Sequence, residues 1–420
     1  MNSPAPGLCP TEMPGFVPDR YMPVRKAEIV SALTEDPRLD DDTRPKLAKL
    51  ARSFAKLFHL EYFNRRETLK DLYVALNPDQ PGKAPLVAPD EDEDKLLAEF
   101  RAACDAANFT ELSRDEVAAA ETRMGRVRAK VKVPWELYED IRFFVRGRQV
   151  STIRWTSMFG LRKHQAEMIT YDQVVLYARV RQNPRIKAMK RAPLRPGGLY
   201  LKLFRDIPEA DLNTLFPNGK VMIGLLDQAL IAVPALVGGI PILLNLLPAL
   251  SVLFVVVAAY LGFQGAVDDD HVKKALAAMS GLAALIGFLM RQWVKYERQA
   301  LKYQKQVSDN AYFKNLNNNA AFFDFIIGTS EDSEVKEAIL AYFFLLIADG
   351  PVTRPELDRL IEDWLTQRFG VTVDFDIDDA LHKLERFGIA SEDEAGISIV
   401  PIDTALTRSQ EAWNAMAAED

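Results

Sequence analysis

From Val221 to Phe263 the chain runs 43 residues in which only Asp227, Gln228, Asn245 and Ser251 oppose transfer into hydrocarbon. A second apolar block, Ala275 to Met290 with Trp293 close behind, follows the acidic link Asp268-Asp269-Asp270. Roughly 20 helical residues cross a hydrocarbon layer about 30 Å thick, and Ile242 to Phe263 and Lys274 to Val294 each have that length. A soluble core needs no such pair in tandem. Met222 to Pro241 is broken by Pro234, Gly238-Gly239 and Pro241, which predicts an interfacial or re-entrant helix rather than a third crossing. The expected membrane region is therefore 221–295, a two-helix transmembrane hairpin.

Charge gives this hairpin an orientation. Arg185, Lys187, Lys190, Arg191, Arg195, Lys202, Arg205 and Lys220 precede the first span, and Arg291, Lys295, Arg298, Lys302 and Lys305 follow the second. The link between them is acidic. By the positive-inside rule both termini face the cytoplasm of a multi-pass protein of the cell inner membrane. The net charge of −7 conceals a division: from Glu331 to Asp420 there are 21 acidic and 7 basic residues, and the rest of the chain is net basic. Cys9 and Cys104 form neither a disulfide framework nor a zinc pattern, so both are expected as free thiols. Residues 1–17 read as a disordered lead without a secretory signal.

The water-soluble parts read as α+β. In the N-terminal helical region, 18–126, helices are expected over Arg25 to Thr34, Thr43 to Leu76 and Lys95 to Ala107 from apolar residues at three- and four-residue steps. In 127–220, Val127 to Val133, Tyr138 to Val145, Gln165 to Arg181 and Gly198 to Phe204 carry strand periodicity, with a turn at Arg146-Gly147-Arg148, and predict an antiparallel sheet. Trp293, Tyr296, Ala300, Tyr303 and Val307 extend the last span into a helical stalk over 296–330. In 331–420, three helices, a hairpin at 389–399 and a closing helix predict a winged-helix-like domain. Thr353-Arg-Pro-Glu356 opens the second of these helices as a capping box.

Catalytic chemistry has no motif here. His59, His164, His271 and His382 lie in different segments without metal-ligand spacing, and no phosphate loop, nucleophile elbow or zincin motif occurs. No enzyme activity, metal or cofactor is expected. Nucleic acid is excluded as a partner by the balance of −14 over the winged-helix-like segment, whose third helix begins Asp376-Ile-Asp378-Asp379. Asp227 and Asn245 are the candidate polar groups of the membrane region.

Several runs resemble the family of membrane proteins that carry domain of unknown function 3754, a group that includes the animal mitochondrial transmembrane protein 143. They are Tyr21 to Lys26, Phe159-Gly-Leu-Arg-Lys163, Leu203 to Pro208, Arg291 to Lys295, Tyr312-Phe-Lys-Asn-Leu-Asn-Asn-Asn-Ala320, Val335 to Tyr342 and Asp376 to Leu384. Relatives tend to read Asn-Leu-Asp-Asn-Asn where this chain has Asn317 in place of the acid. The resemblance implies a membrane hairpin and carries over no catalytic residue. Its motifs mark Arg162, Lys163, Tyr312, Asn315, Asn317 and Asn319 as candidate interaction residues. The expectation is a membrane-anchored scaffold or adaptor, in contact with membrane lipids and with a protein partner or a second copy of itself. A self-assembling pore or transporter subunit, resting on 222–241, and a lipid-handling protein, resting on Lys187, Lys190 and Arg191, are the alternatives.

Overall fold

The computed structural model describes residues 18–82, 84–120, 130–157, 162–183, 194–217, 219–222 and 269–419, with isolated positions between 233 and 261; of 153–157 and 162–166 it describes the backbone alone. The chain divides into two compact units. One comprises 1–125, 134–218 and 314–420, the other 126–133 and 219–313.

The larger unit begins with α1 (Lys26–Thr34), α2 (Thr43–Val74) and α3 (Asp90–Ala106). Leu47, Leu50, Phe54, Leu57, Phe58, Leu69 and Tyr73 make a continuous buried stripe along α2. Next come β1 (Thr110–Glu111), α4 (Arg114–Ala120), β3 (Tyr138–Ser157), β4 (Arg162–Val180) and β5 (Leu199–Pro208); β2 (Lys130–Lys132) belongs to the smaller unit. With β7 (Asn315–Asn318) they form an antiparallel sheet in the order β1-β3-β4-β5-β7. One face meets the helices through Phe100, whose ring lies 5.3 Å from those of Phe144 and Tyr177 and 5.5 Å from that of Phe322. On the other face the 3-10 turn Glu209–Leu215 places Phe216 against Phe143, with ring centroids 5.5 Å apart at 90°.

The C-terminal helices complete the same core. They are α6 (Ala320–Leu346), α7 (Arg354–Phe369), α8 (Ile377–Arg386) and α9 (Ile402–Glu419), with the hairpin β8 (Ala390–Asp393) and β9 (Gly396–Ile399) before the last. Val352 bridges to Ile397 and adds a third short segment to the hairpin. From Ser333 to Leu345 every residue of α6 is buried. The helix runs through the middle of the unit and takes α1, α2, α3, α7 and α8 as neighbours. The regions 18–126 and 331–420, read separately in sequence, thus share one hydrophobic core.

The smaller unit contains β2 paired antiparallel with β6 (Lys220–Met222), and the 46-residue α5 (Asp269–Lys314) up to its last residue. Within α5, Val272–Gln299 is long and apolar enough to cross a membrane, with a mean hydropathy of 1.6. It is the one such helix among the described residues, which therefore do not support the expected two-helix hairpin. The other expected span, 242–263, and the segment 222–241 fall almost wholly outside the described residues.

Two local expectations need correction. Arg146-Gly147-Arg148 makes no turn: β3 runs straight through it, with Arg146 opposite Gln173 and Arg148 opposite Tyr171. Gly147 is required there for a different reason. It has φ +70°, and a Cβ would lie 2.5 Å from that of Asp172 across the ladder. The stalk expected over 296–330 is also interrupted. The helix ends at Lys314, four residues run as β7 along the edge of β5, and a new helix starts at Ala320.

Candidate functional site: a buried ionic knot

Glu334 and Glu337 stand three residues apart on α6, and Asp379 and Lys383 four apart on α8, so each pair shares a helix face. Packing of α8 on α6 brings the two faces together. The Lys383 ammonium lies 2.5 Å from a Glu334 oxygen, 2.5 Å from a Glu337 oxygen and 2.7 Å from Asp379. The Tyr62 hydroxyl of α2 donates to the second Glu334 oxygen at 2.7 Å, and Asn108 Nδ2 donates to the second Glu337 oxygen at 3.0 Å. Lys383, Glu334 and Glu337 are 4, 5 and 3 % exposed.

The electrostatics follow from the count. One ammonium faces three carboxylates, of which Glu334 and Glu337 are buried and Asp379 is partly exposed. Burial pushes the Glu334 carboxyl up to about 7 against the pull of Lys383, and it raises Glu337 as well. Burial alone would depress Lys383, but Glu337, Glu334 and Asp379 together hold it well above the ordinary lysine value. The glutamate pair therefore holds a proton more tightly than ordinary carboxyls do. Alongside, burial draws Lys336 down to about 8, and its ammonium donates to the Met22 carbonyl at 3.0 Å.

Three carboxylates whose oxygens lie within 4.8 Å of one another are a donor set for a hard cation. Here the ammonium of Lys383 stands at their centre and takes that role. Three surface grooves of this unit are lined by other residues. One of them, about 570 Å³, lies between α2 and α9 over Lys56, His59, Phe63 and Trp413. The knot can thus hold α2, α6 and α8 in one arrangement.

A second buried cation sits on β3. Arg146 Nη1 donates to the Ala107 carbonyl at 2.8 Å, and its Nε and Nη2 share the Gln173 side-chain oxygen. The rings of Tyr21 and Phe109 lie 4.4 Å from the guanidinium carbon. Burial lowers Arg146 to about 10.

The residues singled out in sequence are dispersed. Asp227 and Asn245 lie outside the described residues. Arg162 and Lys163 open β4, opposite Ser157 and Thr156, and their side chains lie outside the described residues. Tyr312 is exposed near the end of α5 and packs edge-on against Phe313. The asparagines belong to the β7 junction. Asn315 Nδ2 donates to the Asn318 side-chain oxygen at 2.8 Å, and Asn317 stands opposite Leu203. Asn319, at φ +49°, exchanges backbone and side-chain hydrogen bonds with Leu201 and donates to Asp79 at 2.8 Å. Sequence reasoning passed over the knot, although a signal was present. Glu334, Lys336 and Glu337 run directly into the unbroken apolar stretch Ala338 to Ala348 apart from Tyr342. A helix apolar all round is buried, so charges at its mouth require partners.

No solved structure matches the chain. The family model described as "Protein of unknown function (DUF3754)" matches residues 171–321, from β4 to the first turn of α6, and a DUF3754 domain therefore occupies that segment.

Proposed function

We propose that this chain is a membrane-anchored scaffold or adaptor. The observation that carries the reading is the contrast between α5 and the larger unit. Leu276, Ile286, Leu289 and Trp293 on Val272–Gln299 are between 53 and 61 % exposed, and 6 % of the most apolar window is buried. An exposed apolar helix of that length has a natural environment in a bilayer. In the larger unit buried Lys383 is paired with buried Glu334 and Glu337, which suits a rigid platform. The finer form of the proposal has α5 as one arm of a two-helix hairpin in the cell inner membrane, both termini cytoplasmic, and a winged-helix-like acidic segment as the partner-facing part. A net charge of −14 over 331–420 favours a protein partner over nucleic acid.

Purification from native membranes in mild detergent, with mass spectrometry of the retained proteins, tests this reading. A stoichiometric partner recovered with the chain is the expected result. Recovery of the chain in the soluble fraction, or alone in every preparation, would overturn it.

A further inference from the structure

Beyond the scaffold reading, the long β3–β4 hairpin has a shape and a charge pattern of its own. β5 pairs with β4 only over Thr170–Arg179, and β1 meets β3 only at Phe144 and Val145. From Val150↔Ile169 to Ser157↔Arg162 the two strands have eight consecutive cross-strand pairs, and among the described residues no other strand pairs with them. At about 3.3 Å per residue that is a two-stranded ribbon reaching roughly 25 Å beyond the sheet. At its base Ser151, Thr152 and Glu167 are exposed. An isolated ribbon of this kind is marginal in water unless something else supports one of its faces.

Register assigns the positions of the ribbon to faces. Ser151, Ile153, Trp155, Ser157, Arg162, His164, Ala166 and Met168 fall on one face, and Val150, Thr152, Arg154, Thr156, Lys163, Gln165, Glu167 and Ile169 on the other. From Val150 to Ile169 the chain contains Arg154, Arg162 and Lys163 towards the outer end and one acidic residue, Glu167, at the base, within a protein whose net charge is −7. Ile153 and Trp155 on one face, with cations on both faces of the outer ribbon, are the composition of an interfacial element. The aromatic position suits the headgroup boundary, and the cations suit anionic lipid.

We infer that the ribbon Val150–Ser157/Arg162–Ile169 is a membrane-contact arm that takes an anionic phospholipid surface as its ligand. Three cations close to such a surface weigh on the order of a hundredfold in partitioning at physiological salt, and the effect falls as salt rises.

The arm can be read separately from any anchoring helix. The full chain carries Cys9→Ser and Thr156→Cys, the latter labelled with an environment-sensitive fluorophore; Cys104 is fully buried and stays unlabelled. The protein is reconstituted with vesicles of phosphatidylcholine alone or of phosphatidylcholine with phosphatidylserine. Flotation of the same samples reports the anchor, and the fluorophore reports the arm. The expected result is a blue shift in the phosphatidylserine mixture that is much smaller in phosphatidylcholine, recedes as salt is raised, and is lost in Arg154→Glu/Arg162→Glu/Lys163→Glu. No shift with phosphatidylserine, a salt-insensitive shift, a shift that survives the triple reversal, or one elicited by RNA or by a protein in place of lipid overturns the inference.

Discussion

At the scale of single residues, the knot makes sharp predictions. Removing the cation from a buried group of opposite charges leaves the carboxylates uncompensated, which costs about 3–5 kcal/mol. Lys383→Met is expected to lower stability by that order in a denaturant titration, and Glu337→Gln on top of it should recover part of the loss. The pH dependence has a definite sign. Glu334 titrates near 7 in the folded chain and at 4.5 as an ordinary carboxyl, so the folded state holds the proton more tightly. Its stabilising contribution is fully present below pH 4.5 and is lost as pH rises through about 7. Lys336, drawn down to about 8, acts in the opposite sense only above that pH. Melting temperatures measured across this range should therefore fall more steeply for the native chain than for Glu334→Gln, in which an amide oxygen can still accept from Tyr62. Equal slopes would show that the proton is not held there. Gly147→Ala is a third case. The positive φ together with the approach of Asp172 should cost about 1–3 kcal/mol, far more than an ordinary exchange inside a strand.

At the scale of elements, the reach of sequence patterns explains what was legible. The helical stripe of α2, the long runs of β3 and β4 and the Thr353 capping position are local patterns, and the structure has an element at each. Glu356 accepts from both the backbone N–H and the hydroxyl of Thr353, as the spacing predicts. The misread elements were set by distant partners. Arg-Gly-Arg suggests a turn, and only the ladder to Gln173 and Tyr171 shows a strand continuing through it. β7 lies inside what reads as one helical stalk, because the edge of β5 that it joins is more than a hundred residues away in sequence. The asparagine run there looked like a recognition motif, and it positions a chain reversal. Asn319→Ala should lose the bonds to Leu201 and Asp79 and strain the positive φ, at a cost of about 1–3 kcal/mol. Asn319→Gly relieves the backbone while still losing the side-chain bonds, so it should fall between the native chain and Asn319→Ala in thermal unfolding. The reverse order would place the effect in the side chain alone.

At the scale of the whole molecule, the decisive contrast is between buried and exposed apolar surface. In the larger unit Phe54, Phe58, Phe100, Phe322, Phe323 and Phe343 are 1 % exposed or less, and they account for a core that closes on itself. The same rule applied to α5 fails: Phe254 before it and Leu276, Met279, Ile286 and Met290 within it stand more than half exposed. A contiguous apolar surface of that extent in water marks an interaction site, and its length of 28 residues exceeds what a crossing needs. Protein association and lipid insertion both would cover it, and they respond differently to charge. An arginine near the middle of a spanning helix costs about 2.5–3.5 kcal/mol for insertion, whereas at a helix exposed to water it costs almost nothing. Ile286→Arg combined with Leu289→Arg should therefore move the chain from an alkaline-washed membrane pellet into the supernatant, with the unfolding midpoint of the larger unit unchanged. If the double variant stays in the pellet, the helix does not insert, and the apolar surface of α5 belongs to a protein interface instead.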